Sequence, residues 1–248
     1  MRNFGVALLI ATAIACSSGE NGGGAQGMDE LQNPPATDVP NNPGNSTGGS
    51  TSAAAPALIG DSCKSTDPNH ICLALKYVVY LDSSSRAAVT RPQAAGNVKV
   101  INKIWKQCNI GFQIETYSQI DPNKYQLIFD TANIGDLDGI RSAFEDPQHL
   151  LIVTTGSWNR TGSLGRTSAN AWTSLPGSAP YGAVIEAGVG TFGNILAHEL
   201  GHYLNLDHFS EATDLMNPII YDNSTQLTAD QCNSARSTAN SYWASMER

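Results

Sequence analysis

The segment with the most chemistry-bearing side chains runs from Ala197 to His208 (AHELGHYLNLDH) and holds three of the five histidines in the chain. His198 and His202 are four positions apart, so on a helix both side chains lie on one side, one turn apart, and can bind one metal ion. Glu199 is rotated by about 100° from His198, because a helix has 3.6 residues per turn. Its carboxylate therefore cannot easily bind the same ion, but it can reach a water molecule beside it.

A third ligand can come from His208, provided that the helix ends between positions 202 and 208. Asn205 lies at that point, and asparagine tolerates the left-handed backbone conformation that commonly ends helices. Three histidine nitrogens leave a fourth coordination position open for water, which is typical of catalytic rather than structural zinc. The segment therefore predicts one catalytic Zn2+ held by His198, His202 and His208, with Glu199 as the general base.

The string resembles the metzincin signature HExxHxxGxxH, except that Asn205 stands in place of the glycine. Metzincins also have a methionine turn below the metal, and Asp214–Pro218 (DLMNP) resembles it. The resemblance implies that Met216 forms a hydrophobic base under the histidines without binding zinc. Pro218 stands where astacins and serralysins have a metal-reaching tyrosine, so matrixin-like and adamalysin-like enzymes are more similar. Phe209 matches none of the better-known families, and the family within the clan stays open.

The same resemblance implies where a substrate binds. In metzincins an extended peptide lies along an edge strand above the active-site helix, and the corresponding segment here lies within Gly165–Trp172 (GRTSANAW). Backbone hydrogen bonds at that edge supply affinity for a peptide without selecting a particular substrate sequence. The segment after the methionine turn is expected to wall a pocket for an apolar residue after the cleaved bond. Its residues are Pro218, Ile219, Ile220 and Tyr221.

Alternating strands and helices must position these residues. Apolar patterning predicts strands at Leu73–Leu81, Gly111–Tyr117, Leu150–Thr155 and Tyr181–Ala187, and a short strand or helical turn at Tyr125–Phe129. Helices are predicted from Pro92 to about Cys108, from an N-cap at Thr191 through the metal-binding string, and from Thr228 to about Trp243. This order predicts an α+β fold, layered like an α/β protein.

The resemblance adds a metzincin-like architecture of two subdomains, with a twisted sheet, an active-site helix, a methionine turn and a C-terminal helix. The upper subdomain is expected at about 61–205 and the lower one at 206–248. Residues 156–180 are rich in Gly, Ser, Thr and Pro, so a long functional loop is expected there. Asp136–Gly139 (DLDG) resembles part of a calcium loop but lacks the other ligands, which leaves calcium without support.

Residues 1–16 have the pattern of an export signal. Arg2 gives a positive start, and the apolar run at positions 4–15 is too short to span a bilayer as a helix. The run ends in AIAC, which resembles a bacterial lipobox, so Cys16 is the expected lipidation site, with ordinary signal cleavage as the alternative. The protein is therefore expected to be exported, either anchored by lipid in the cell envelope, at the outer membrane, or secreted. Residues 17–60 are predicted to be a low-complexity tether to a catalytic domain at 61–248.

Four cysteines remain in the predicted domain after Cys16 is assigned. Disulfides are common in exported proteins, and an even number of cysteines agrees with complete pairing. Four cysteines can form two disulfides in three alternative pairings. The short spacing favours Cys63–Cys72, and Cys108–Cys232 then joins two predicted helix ends. Free buried thiols are the alternative. A four-cysteine zinc site is not expected, because the sequence contains no CxxC pair.

The charge balance narrows the class of partner. The formal net charge is -8 and only 14 residues are Lys or Arg, so a nucleic-acid partner is not expected. A monomer that acts on protein or peptide substrates, with membrane contact only through its N-terminal lipid, is the expectation. Two other functions stay open: a non-catalytic surface lipoprotein with a metzincin fold, which the intact Glu199 argues against, and a zinc hydrolase of a non-peptide amide.

Overall fold

A computed structural model describes residues 58–248 of the chain. The predicted export signal, Cys16 and most of the expected tether lie outside the described residues. Ile59 is buried and forms an antiparallel bridge with Ile114, so the folded part begins slightly before the expected boundary at 61. None of the helices between residues 58 and 248 combines the length and apolarity that a bilayer crossing requires.

In the described part of the chain, five strands form one mixed sheet. They are β1 (Ile71–Tyr80), β2 (Ile110–Ile120), β3 (Leu150–Thr154), β4 (Ala171–Thr173) and β5 (Ala183–Ile185). Their order across the sheet is β2-β1-β3-β5-β4, with parallel pairing except between β5 and β4. The antiparallel β4 is thus an edge strand, next to the part of the chain that carries the histidine motif.

Within residues 58–248, four helices accompany the sheet: α1 (Arg91–Trp105), α2 (Ile134–Phe144), α3 (Gly193–Tyr203) and α4 (Ala229–Tyr242). Thr90 and Thr228 begin α1 and α4 with capping boxes, as the sequence pattern predicts for Thr228. The N-cap of α3 is Phe192, so the expected N-cap at Thr191 is wrong. The amide of Phe192 still bonds to the carbonyl of Val189, so the preceding turn delays the start of the helix.

The sheet separates two hydrophobic clusters. Tyr77 and Val79 of β1 face the larger cluster, to which α1, α3 and α4 contribute side chains. Val78 and Tyr80 face the smaller one, with α2. A parallel strand with both faces covered is apolar along most of its length, which explains why Lys76 is the only charged residue in β1. The predicted α+β fold is confirmed.

The segment before β3 differs from expectation. A 3-10 turn covers Pro122–Tyr125, and the strand or turn predicted at Tyr125–Phe129 is wrong beyond its first residue. The segment that resembles a calcium loop, Asp136–Gly139, lies inside α2. The Asp136 carboxylate accepts the backbone amide of Asn133 in a capping box, so helix formation uses the acid that a loop would have offered to a cation.

Both preferred disulfides are present. Cys63–Cys72 closes a short segment that ends at the second residue of β1, with a Cα–Cα distance of 5.4 Å. Cys108–Cys232 joins the 3-10 turn after α1 to the first turn of α4, with a Cα–Cα distance of 4.9 Å across 124 positions of sequence. The second bond therefore ties the C-terminal helix to the body of the domain.

Candidate metal centre

Three side-chain contacts hold α3 in place. The indole of Trp105 in α1 donates to the carbonyl of Ala197 at 3.1 Å. The hydroxyl of Tyr203, the last residue of α3, donates to the carbonyl of Leu151 in β3 at 3.1 Å. The indole of Trp243 donates to the carbonyl of Tyr203 at 2.7 Å. The helix that carries the motif is therefore fixed to α1, to the sheet and to the C-terminal segment.

The helix ends where the sequence predicts. Asn205 has a φ of 62°, in the left-handed region, and the amide of Leu206 bonds to the carbonyl of Gly201 at 3.0 Å. This turn redirects the chain, and His208 returns toward the helix. Its ring centroid lies 5.4 Å from that of His198 and 4.9 Å from that of His202.

Backbone carbonyls set the tautomers of the two helical histidines. Nδ1 of His198 lies 2.7 Å from the carbonyl oxygen of Leu215, and Nδ1 of His202 lies 2.8 Å from that of Leu206. A carbonyl oxygen only accepts, so each Nδ1 carries a proton, and in a neutral ring each Nε2 then presents a lone pair. Both rings are thus prepared as ligands through Nε2.

The two Nε2 atoms of His198 and His202 lie 3.0 Å apart. Two nitrogens bound tetrahedrally to zinc at about 2 Å are separated by roughly 3.3 Å, close to this distance. Nε2 of His208 is buried and has no hydrogen-bond partner among residues 58–248. One ligand atom from each of the three side chains can be chosen so that all lie within 4.8 Å of one another. A buried nitrogen that accepts no hydrogen bond is costly, so the donor set fits a metal ion.

Burial favours the neutral form of these imidazoles. It is the main reason that the pKa of His198 lies well below its ordinary value, and the neighbouring histidines add to the effect. Burial, together with His208, lowers the pKa of His202 to about 4, although the Leu206 hydrogen bond acts in the opposite direction. The pKa of His208 is also lowered by burial. Neutral imidazole is the form that binds a metal.

Glu199 lies in α3 next to His198 and is completely buried. Its Oε2 accepts a hydrogen bond from the hydroxyl of Thr173 at 2.5 Å, whereas its Oε1 is buried without a partner in the described part of the chain. Burial raises the pKa of Glu199 to about 7, although the Thr173 hydrogen bond and the charge of Arg141 both lower it. A carboxyl group with this pKa can accept and return a proton near neutral pH.

The methionine turn packs under the helix. Met216 is fully buried, and a Cβ on Gly201 would collide with its sulfur, so a residue without a side chain is needed there. The carboxylate of Asp214 accepts the amide of Met216 at 2.7 Å and the side-chain amide of Gln231 in α4 at 3.0 Å. The turn is thus supported from both sides.

The two segments expected to contact substrate, the edge strand and the pocket wall, can be compared with the structure. The edge strand of the sheet is Ala171–Thr173, which shares only Ala171 and Trp172 with the segment expected to bind substrate. A 3-10 turn at Ser163–Arg166 precedes it. In the expected pocket wall, Ile220 is buried, Pro218 and Ile219 are half-buried, and Tyr221 is exposed. The carbonyl of Tyr221 accepts a hydrogen bond from Asn194, which places this wall beside the start of α3. Its role as a pocket stays a prediction.

Sequence reasoning missed three contributors to the site. Thr173 and Arg141 come from β4 and α2, and no local motif connects them with the histidine string. Asp214 was noted only as part of the methionine turn, although its position two residues before Met216 matches the common pattern in which an aspartate accepts a nearby backbone amide.

Residues 129–238 match the family model described as Matrixin. No curated protein matches the chain. Among solved structures, metalloproteinase-II from Bacteroides fragilis is similar at 13% identity and a TM-score of 0.46, with 68% of this chain and 58% of that chain covered. A structure of a chaperone-substrate complex is similar at 12% identity and a TM-score of 0.48, with 73% of this chain and 40% of that chain covered. The chain thus spans less than two thirds of either protein. The family match, together with the three-histidine geometry, confirms the metzincin resemblance and supports a zinc metallopeptidase.

Proposed function

We propose that this chain, which matches the matrixin family over residues 129–238 and builds a metzincin-type three-histidine centre, is an endopeptidase that cleaves extended protein or peptide substrates. One observation carries the proposal. Nε2 of His198 and Nε2 of His202 face each other at 3.0 Å while both Nδ1 atoms donate to carbonyls. Two lone pairs at this distance repel each other unless a cation lies between them.

His198, His202 and His208 would hold the zinc ion. When bound, such an ion lowers the pKa of a coordinated water and polarises a substrate carbonyl. The carboxylate of Glu199 takes a proton from the attacking water while the water oxygen forms a bond to the carbonyl carbon. As the C–N bond breaks, Glu199 passes this proton to the amine nitrogen and is a carboxylate again.

The open side of β4 is the proposed binding edge for substrate. β4 pairs with β5 on one side only in the sheet order of the described residues, so its other side can accept an extended peptide. Main-chain hydrogen bonds of this kind bind many sequences, so choice of the cleaved bond would come from side-chain pockets. Pro218, Ile219, Ile220 and Tyr221 are the residues proposed for the pocket after the cleaved bond.

The proposed location is outside the cytoplasm, with the enzyme a monomer tethered through lipid on Cys16. The signal-like N-terminus and the AIAC string support export and lipidation. The two disulfides agree with an oxidising compartment. Labelling with a radioactive fatty acid tests the anchor, because Cys16→Ser should abolish incorporation if the proposal is correct.

The activity is tested with the zinc-loaded full chain and casein or a peptide library, followed by mass spectrometry of the products. We expect cleavage that a zinc chelator abolishes and that added zinc restores. Glu199→Gln is the matched variant: it should bind one equivalent of zinc and lose at least about a hundredfold in turnover. A zinc-loaded wild-type chain that leaves every peptide intact would contradict the proposal, as would a Glu199→Gln variant with full activity.

A further inference from the structure

Thr173 ends the edge strand β4, and its hydroxyl contacts the carboxylate of Glu199. The oxygen atoms Oγ1 and Oε2 lie 2.5 Å apart, and the two side chains are 2% and 0% exposed. We propose that Thr173 is a positioning residue: its hydroxyl holds Oε2 of Glu199, and thereby presents Oε1 to the attacking water. This inference rests on the proposed peptidase function.

The two carboxylate oxygens of Glu199 have different surroundings. Oε2 accepts the Thr173 hydrogen bond, while Oε1 is buried and lacks a partner within residues 58–248. A buried carboxylate oxygen without a hydrogen bond is costly, so the working site has to supply a donor for it. The attacking water is a donor that the proposed reaction brings to this carboxylate. The arrangement therefore assigns Oε2 to orientation and Oε1 to proton transfer.

The position of Thr173 is itself fixed by the sheet. Thr173 pairs with Ala183 in the antiparallel register of β4 and β5. The buried guanidinium of Arg141 donates to the carbonyl of Trp172 at 2.8 Å and to that of Gly182 at 2.8 Å. Arg141 thus bonds to one residue next to each member of this pair. A β-branched side chain on such a backbone has few rotamers, so the hydroxyl is held rigidly.

This contact links substrate binding to the general base. A peptide that pairs with the open side of β4 is positioned by the same strand that orients Glu199. Small errors in the alignment of a base and its water reduce turnover strongly, even when substrate affinity is unchanged. The role of Thr173 should therefore be visible in kcat rather than in KM.

Three variants of the zinc-loaded full chain separate the hydroxyl from its surroundings. Thr173→Val removes the hydroxyl and keeps the shape, and Thr173→Ser keeps the hydroxyl. Ser174→Ala is the matched control, because it removes the neighbouring hydroxyl, which bonds to the carbonyl of Pro180 at 2.9 Å. Zinc content is measured for each variant, and kcat and KM are measured on one peptide that the wild type cleaves.

For Thr173→Val we expect kcat to fall at least about tenfold, with KM within about twofold and zinc content unchanged. Thr173→Ser and Ser174→Ala should stay within about threefold of the wild type in kcat. Three outcomes would overturn the proposal: full turnover in Thr173→Val, an equal loss in Thr173→Ser, or an equal loss in Ser174→Ala. An equal loss in Thr173→Ser would indicate that Thr173 acts through side-chain packing. An equal loss in Ser174→Ala would indicate that turnover depends on the strand as a whole and not on the Thr173 hydroxyl.

A binding measurement distinguishes failure of this inference from failure of the proposed function. Acetohydroxamate binds zinc and shares a proton with a neighbouring carboxylate, so its affinity reports the position of Glu199 without turnover. By calorimetry we expect Thr173→Val, but not Thr173→Ser, to bind it at least about fivefold more weakly than the wild type. If the wild type cleaves no peptide, the proposed peptidase function is wrong, and these affinities alone then decide whether Thr173 positions Glu199. Equal affinities in all variants would overturn the positioning role.

Discussion

The ring of His198 donates from Nδ1 to the backbone carbonyl of Leu215, at 2.7 Å. Leu215 directly precedes Met216, so a candidate metal ligand is bonded to the methionine turn itself. This contact fixes the tautomer and the orientation of the imidazole, as outer-shell partners of metal-binding histidines usually do. The affinity of the site for zinc should therefore depend on residues of the turn that do not touch the metal.

Asp214→Ala tests this dependence. The variant loses the acceptor for the amide of Met216 and for the side chain of Gln231, so the turn that holds the Leu215 carbonyl is loosened. We expect zinc affinity to fall by up to about ten- to a hundredfold, the range for loss of an outer-shell partner itself, because the turn presents that partner to His198. Competition with a chromogenic chelator measures it. Asp222→Ala, which changes an exposed acid in the same region, should leave the affinity unchanged, and equal affinities for both variants would contradict the role of Asp214.

Gly201→Ala tests the packing between α3 and the methionine turn. An added Cβ would collide with the sulfur of Met216, which is buried and has little room to move. Overpacking of this kind costs about 1–3 kcal/mol, so the free energy of unfolding should decrease by that amount. Urea denaturation of the metal-free protein measures it.

Gly139→Ala is the control for helix propensity. Gly139 also lies inside a helix, but a Cβ there has no neighbour within 4 Å. Alanine should therefore leave stability unchanged or raise it by up to about 1 kcal/mol. If Gly201→Ala were as stable as Gly139→Ala, the tight contact with Met216 would be refuted.

The three candidate zinc ligands could be predicted because their geometry is local. An i, i+4 pair needs only a helix, and the return of His208 needs only a chain reversal that Asn205 provides. Thr173 could not be predicted in the same way, since it lies 26 positions from Glu199 and the sheet brings the two together. The family match adds to this reading, but it does not by itself single out the threonine.

Helix α2 escaped prediction because its composition is weakly helical. Gly135 and Gly139 lower its intrinsic propensity, and its aspartates resembled a calcium loop. Burial of Leu137 and Ile140 against the sheet overrides this propensity. The capping box of Asn133 with Asp136 was the available signal, and it could have indicated the helix start.

A cluster of charges near the C-terminus should make stability depend on pH. The carboxylate of Glu115 bonds to Arg248 at 2.8 Å and lies 3.3 Å from the ring of His149. The carboxylate of Asp146 bonds to the same ring at 2.8 Å and pairs with Lys76 at 3.2 Å. Burial acts to raise the pKa of both acids, but these hydrogen bonds and charges outweigh it, so both pKa values are lowered.

The direction in which stability changes with pH follows from the number of protons bound in the folded and unfolded states. A carboxyl group with a lower pKa in the folded state binds fewer protons there than in the unfolded state. Its contribution to stability is therefore complete above the unfolded pKa, at about 4, and is lost as pH falls through the folded pKa. Urea denaturation of the wild type and of Glu115→Gln at several pH values from 7 to 3 measures the contribution.

We expect Glu115→Gln to be less stable than the wild type at pH 7, and the two curves to converge as the pH approaches 3. The buried His198 and His202 are present in both proteins, so the effect of their protonation on stability cancels when the two curves are compared. Asp222→Asn, a change at an exposed acid, should leave the curve unaltered. A difference between Glu115→Gln and the wild type that stays constant down to pH 3 would mean that the carboxylate acts through packing rather than charge.

The two disulfides should contribute unequally to stability because they close loops of different length. Cys63 and Cys72 are 9 positions apart, whereas Cys108 and Cys232 are 124 apart. In the chain-entropy model the loss of freedom in the unfolded state grows with the logarithm of loop length, which gives about 3 kcal/mol for the short loop and about 5 kcal/mol for the long one.

Replacing both cysteines of a pair by alanine should therefore cost about 2 kcal/mol more for Cys108–Cys232. Urea denaturation of the two double variants under non-reducing conditions measures the difference. Equal losses would indicate that local packing, rather than loop closure, determines what each bond contributes, and a larger loss for Cys63–Cys72 would exclude the entropic account for this fold.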